Sequence, residues 1–242
     1  MFTLTTQEMN SLIRTYPKIP AFVSTKRSGT HLTIAAIEMY SGACIAPNVC
    51  FTTERPNMIG RLFDLDFAAV HTHHPQGCAA RPNFEIPDDV IFQYRNPIDA
   101  AYSLYAMEGP KTESKSTLMT WANTWATQYA ASLKHFVIEK APEKLTIIRY
   151  ERLIHGQSEF HKILDHLGMK WNLMRAEAVL RICNKYFVGK LFQSKLLPRY
   201  HQPDKGLTMD EFMELVGDSC EIMLESYLGM TIEEFERRYG SD

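Results

Sequence analysis

The chain of 242 residues is 45% hydrophobic and 22% charged, ordinary for a globular protein with a sizeable core and unlike a disordered or fibrous one. Its 26 basic and 28 acidic residues leave a formal net charge of −2. That balance supplies no global field for nucleic acid or an anionic membrane, so any anion site must be local. Five cysteines, without metal-type C-x-x-C spacing, point to free thiols in a reducing compartment. No segment approaches the roughly 18 continuous apolar residues of a membrane span. The N-terminal stretch lacks the basic start and apolar centre of a signal peptide, so a cytoplasmic location is expected. No repeat, low-complexity tract or long linker divides the chain, which predicts a single domain over residues 1–242.

Short apolar runs bounded by turn signals alternate with helical patterns, the signature of an α/β sheet built from parallel crossovers. The first run, Ala21 to Ser24, leads through Thr25-Lys26-Arg27-Ser28-Gly29-Thr30 into a helical stretch from His31 to Tyr40. There Leu32, Ala35, Ala36 and Met39 recur at helical spacing. Two further strands are predicted at Asp66 to Thr72 and Asp88 to Tyr94. A helix start follows the second, with Asn96 as N-cap, Pro97 in the first position and Asp99 in the first turn. Ile98, Ala101, Tyr102 and Tyr105 form its core-facing stripe. A long amphipathic segment from Lys115 to Glu139 carries Leu118, Trp121, Trp125, Tyr129, Leu133 and Phe136 on one side and stops before Pro142. Leu145 to Tyr150 reads as another buried strand. The C-terminal third reads as helical, with capping boxes at Thr208 to Glu211 and Thr231 to Glu234.

Three groups of residues carry chemistry. Lys26, Arg27, Ser28, Gly29 and Thr30 lie between a strand and a helix. A helix amino end with unpartnered N–H groups, a glycine permitting close approach, two hydroxyls and two cations make an anion site. The loop is not a Walker A sequence, and by itself the segment also reads as a solvated loop with two surface cations. Arg95 ends a strand beside that loop, and Ser103 lies about two turns along the following helix, so the pair can hold a phosphate. The alternative is an Arg95 salt-bridged to Asp99 and an idle Ser103. Finally, His71, His73 and His74 close the strand before Pro75. A neutral histidine there suits a general base, while zinc binding with Cys78 and a solvent-facing cluster are the other readings.

Together these segments resemble the sulfotransferase family that uses 3′-phosphoadenosine 5′-phosphosulfate (PAPS). The family's 5′-phosphosulfate loop, roughly P-K-S-G-T-T-W, corresponds to Lys26-Arg27-Ser28-Gly29-Thr30-His31-Leu32. Its K-T-H-L-P strand end corresponds to His71 through Pro75, which puts His73 at the catalytic histidine. Its 3′-phosphate motif R-N-P-x-D-x-x-x-S is matched at every specified position from Arg95 to Ser103. Tyr150-Glu151-Arg152-Leu153 resembles its Y-E-D-L strand end, Phe160 to Gly168 its following helix, and Leu207 to Glu211 a later helix start.

The resemblance implies a P-loop-like three-layer α/β fold with a central, mostly parallel sheet flanked by helices. It implies sulfonate transfer from PAPS to a hydroxyl or amine of a small-molecule acceptor, by in-line displacement without a metal. His73 is then the base, and Arg27 or Lys26 holds the sulfonate and bridging oxygen. Ser28, Gly29, Thr30 and His31 cradle the 5′-phosphate, Arg95 and Ser103 hold the 3′-phosphate, and Tyr150 lies near the adenosine. Arg27 replaces the usual loop lysine, Leu32 a tryptophan and His71 a lysine, and the family's C-terminal R-K-G-x-x-G-x-W segment is absent. Lys195, Arg199 or Lys205 are candidates for the missing cation. Loops at Pro75 to Pro87 and Gly109 to Ser116 are candidates for the acceptor pocket, with the Trp121/Trp125 face either nearby or plain helix packing. Two other functions stand beside this one. A P-loop phosphotransferase would need a Walker-type Gly-Lys-Ser/Thr and a metal-holding Asp, and neither is visible. The replaced residues also suit a protein that binds the nucleotide without catalysing transfer.

Overall fold

The computed structural model describes residues 20–46, 67–72, 89–109, 114–139, 144–183 and 207–239. Its strands are β1 (Ala21–Ser24), β2 (Cys44–Ala46), β3 (Phe67–Thr72), β4 (Asp89–Tyr94) and β5 (Lys144–Arg149). They form one sheet in the order β2-β3-β1-β4-β5, with every neighbouring pair parallel. The helices are α1 (Thr30–Ser41), α2 (Pro97–Glu108), α3 (Lys115–Leu133), α4 (Tyr150–His155), α5 (Ser158–His166), α6 (Leu173–Ile182), α7 (Met209–Leu228) and α8 (Ile232–Tyr239).

Alternation along the strands feeds two cores. Ala21, Val23, Val90, Phe92 and Tyr94 face residues of α2, α3, α7 and α8, whereas Phe22, Ile91 and Ile148 face α1, α5 and α6. Both sheet faces are therefore covered, as a parallel sheet requires, and the three-layer α/β architecture follows. Phe22 and Phe92 are fully buried on opposite faces, and truncating either to alanine would cost about 3–5 kcal/mol.

The predicted strands recur within a residue or two. β2 escaped the sequence reading because three residues are too few to show a period. The Asn96 side chain accepts from the N–H groups of Ile98 and Asp99, so α2 begins as its N-cap and proline predict. The long amphipathic segment is α3 continued by a π-helical turn, Lys134–Glu139. Both halves of the Thr208/Glu211 capping box are formed, and Glu234 N–H donates to Thr231. Among the described residues, no helix is long and apolar enough to cross a membrane.

The topology locates a site. From β1 the chain passes through α1 to β2, returns to β3 beside β1, and then crosses to β4 on the other side of β1. The strand order reverses at β1, and in such sheets the crevice for ligands opens at the carboxyl ends of the strands there.

Candidate functional site

Nine polar or charged residues are buried among the described residues, and six of them, Ser24, Thr25, Ser28, Thr30, Thr33 and Gln93, gather at this switch point. Buried polar groups persist where hydrogen bonds compensate them, so the gathering marks a built structure. The loop after β1 turns back on itself, with Ser28 N–H donating to Thr25 O at 3.3 Å. Arg27 sits at φ 66° and Gly29 at φ 81°, both in the left-handed region. For a non-glycine residue such as Arg27 that conformation costs about 1–3 kcal/mol and persists where the surroundings enforce it. At Gly29 space decides as well, because a Cβ there would run into the Tyr150 ring.

Gly29 is the N-cap of α1 and offers no side chain to the amino-terminal N–H groups, while its carbonyl accepts from Leu32 and Thr33. The helix end is thereby left to interact with an anion through its main chain and partial positive charge. The Ser28 hydroxyl, in contrast, donates inward to Thr25 O at 2.6 Å, and the Thr30 hydroxyl pairs with Ser24 at 2.8 Å. Both hydroxyls thereby help to brace the loop.

Two side chains that the sequence reading assigned no role in the site fix the loop to β4. Gln93 Nε2 donates to Ser28 O at 2.5 Å and its Oε1 accepts from Thr33 Oγ1 at 2.6 Å. The Tyr129 hydroxyl accepts from Thr25 Oγ1 at 3.2 Å and from Arg95 N–H at 3.1 Å, and donates to Arg95 O at 2.5 Å. Burial pushes the Tyr129 phenol above the usual tyrosine range, so it stays protonated and able to donate. A glutamine in the otherwise apolar run of β4 was the available signal for the first; a tyrosine on a helix stripe gives none for the second.

The cations converge on the same end. Arg27 Nε donates to Ser103 Oγ at 3.1 Å, and Nη1 reaches Met107 Sδ at 3.2 Å. Arg95 Nη1 contacts Arg27 O at 3.5 Å, and its guanidinium lies 5.1 Å from the Tyr150 ring centroid. The Arg95–Asp99 pair anticipated from sequence is present at 3.8 Å, on a half-exposed carboxylate where such pairs contribute at most about 1 kcal/mol. It coexists with the turn of Arg95 toward the loop. Glu151 extends the cluster: it accepts from Asn96 N–H at 2.7 Å and from Arg149 Nε at 3.3 Å, with Arg95 Nε 4.0 Å away. Lys26 is exposed at the loop's tip. His31 reaches solvent, yet the protein packed about its ring and the Arg27 charge hold its pKa below the ordinary imidazole value.

Arg27, Gly29, Arg95, Ser103 and Tyr150 are thus brought into one cluster, with Ser28, Thr30 and His31 on its loop and helix start. β3 is described through Thr72, which pairs with Val23, so its carboxyl end points the same way as that of β1. His73, His74 and Cys78 lie outside the described residues, as do Lys195, Arg199, Lys205 and the segment from Pro75 to Pro87. Trp125 is buried against Tyr129 with ring centroids 4.8 Å apart, and Trp121 packs on Tyr105, which makes this face helix packing.

A family model described as "Sulfotransferase domain" matches residues 3–196 of the chain. Among solved structures, the crystal structure of mouse sulfotransferase SULT7A1 complexed with PAP aligns with a TM-score of 0.54 at 18% identity. That alignment covers 77% of this chain and 72% of that one. No curated protein matches the chain significantly.

Proposed function

The chain belongs to the sulfotransferase domain family, and from that premise we propose that its described cluster holds the PAPS donor while His73 activates an acceptor hydroxyl or amine. The observation that carries the reading is the convergence of Arg27, Ser103, Arg95 and Tyr150 on the amino end of α1 at the topological switch point. The donor set suits a nucleotide with two separate phosphates. Gly29 permits backbone approach, the helix end has no side-chain cap, and two guanidiniums stand at its mouth.

Bound PAPS supplies a sulfonate already activated by a phosphate leaving group. Arg27, with Lys26 beside it, stabilises the charge that builds on the departing oxygen. The amides of Ser28 to His31 hold the 5′-phosphate, Arg95 and Ser103 hold the 3′-phosphate, and Tyr150 flanks the adenosine. His73 removes the acceptor proton as the acceptor–sulfur bond forms and the sulfur–phosphate oxygen bond breaks, so atoms and charge balance. The acceptor is a small molecule, and protein cations carry the charge stabilisation. The absence from the chain of the family's C-terminal glycine-rich basic segment leaves Lys195, Arg199 and Lys205 as candidates to complete the 3′-phosphate site.

The test pairs two substitutions. His73→Ala is expected to lower turnover by about two to four orders of magnitude while binding of adenosine 3′,5′-bisphosphate survives. Arg95→Ala is expected to weaken that binding. Full activity of His73→Ala on an identified acceptor would remove the histidine from its role. Nucleotide binding by the unaltered protein with no transfer to any acceptor would instead identify a binding protein.

A further inference from the structure

Past the ends of β1 and β4 the ladder gives way to a few separate ties: Thr25 N–H still donates to Gln93 O at 3.0 Å, and Gln93 Nε2 holds Ser28 O. β1 and β4 both end beneath the proposed donor site, and one buried atom meets both exits. The Tyr129 hydroxyl takes Thr25 Oγ1 on the β1 side, and the N–H and C=O of Arg95 on the β4 side. This fills its capacity as one donor and two acceptors. Its own place is set by a rigid element: Tyr129 lies in α3, a helix of 19 residues, is 3% exposed, and is braced by the Trp125 ring.

We infer that Tyr129 is a positioning residue that couples the two phosphate subsites, by adding to the Gln93 ties one shared peg that holds both Thr25, at the base of the loop of Arg27 to Gly29, and the backbone of Arg95. The inference rests on the reading of those segments as the 5′- and 3′-phosphate sites. With the peg, the subsites keep one spacing, and a nucleotide carrying both phosphates meets two preorganised sites at the entropic cost of one association. Without it, each subsite still takes a single phosphate, but the advantage of carrying both on one molecule shrinks. Tyr129 does not touch the nucleotide and acts through Thr25 and Arg95.

Calorimetric titration with adenosine 3′,5′-bisphosphate, adenosine 5′-monophosphate and adenosine 3′-monophosphate tests this without any turnover. In Tyr129→Phe the preference for the bisphosphate over either monophosphate is expected to fall by about tenfold, while the monophosphate affinities move by less than about threefold. Thr25→Val, which cuts the peg from the β1 side and leaves Arg95 held, is expected to lower the preference by about threefold. Thr25→Ser, which keeps the hydroxyl, is expected to restore it. A folded Tyr129→Phe with the wild-type preference overturns the inference. Should that variant not fold, an unchanged preference in Thr25→Val overturns it equally. Equal weakening toward all three ligands assigns Tyr129 a purely structural role and also overturns it. If the unaltered protein binds no bisphosphate at all, the proposed function itself falls before any variant is compared.

Discussion

Arg27 Nε and Ser103 Oγ meet at 3.1 Å across 76 positions of sequence, joining the loop after β1 to the second turn of α2. The contact orients a guanidinium that rises from a strained left-handed residue and that also reaches Met107 Sδ, a weak acceptor. Ser103→Ala is expected to weaken binding of adenosine 3′,5′-bisphosphate by about tenfold, the scale of a hydrogen bond to a charged group. Affinity for adenosine 5′-monophosphate should fall by less than that, through the loosened Arg27 guanidinium alone. Isothermal titration with both ligands checks this, and parallel losses would place Ser103 outside the 3′-phosphate site.

Gly29 combines a φ of 81° with a Tyr150 ring where a Cβ would stand. Gly29→Ala is therefore expected to destabilise the protein by at least about 2 kcal/mol, part backbone strain and part steric conflict. Adding Tyr150→Ala should relieve the steric part and leave the strain, so the two substitutions combine non-additively. Urea denaturation of the four proteins measures the difference. Strict additivity would show that the ring is not the obstacle.

Gln93 is fully buried and satisfies both Ser28 O and Thr33 Oγ1. Gln93→Leu leaves both groups without that partner and should cost about 2–4 kcal/mol. Because one of them belongs to the proposed 5′-phosphate loop, affinity for adenosine 5′-monophosphate should fall in the same variant. Denaturation and titration on one preparation examine the two effects together, and a stable variant with normal affinity would show that the loop holds itself.

At the opposite end of the sheet, His166 has a fully buried side chain, with Nε2 2.5 Å from Asp89 Oδ1 and Nδ1 2.7 Å from Thr146 Oγ1. Burial lowers its pKa, and Lys144 adds to this, against the pull of Asp89. The unfolded chain therefore takes up the proton more readily than the folded one, and stability rises with pH through this range. The contribution of His166 should be complete above the ordinary imidazole value of about 6.5 and decline as the pH falls below it. Urea midpoints at mildly acidic and neutral pH should differ less in His166→Gln than in the unaltered chain. An identical difference would mean that other groups set the slope.

Much of the fold could be read from the sequence because its signals are local. The apolar runs of β1 and β4, the Asn96-Pro97 start and the Thr208 capping box each fit within a few residues. The Arg95-to-Ser103 motif was legible for the same reason, since its spacing on α2 is fixed by helical geometry. What could not be read depends on tertiary meeting. Tyr129 has the periodicity of any core residue, and its hydrogen bonds arise because α3 carries its hydroxyl to two strand ends far away in sequence. The inward turn of the Ser28 and Thr30 hydroxyls follows from the path of the loop, which residue type does not encode.

The central position of β1 carries a consequence for biosynthesis. Ala21 pairs with both Val70 and Val90, so β1 must wait for two strands made after it before its edges are satisfied. Tyr129 and Tyr150, which complete the surroundings of the loop, are translated later still. The surroundings of the loop are therefore complete only once Tyr150 has been translated, and pairing between strands far apart in sequence predicts slow maturation. Ligand added during refolding should then speed the last phase of assembly and leave the first unaffected.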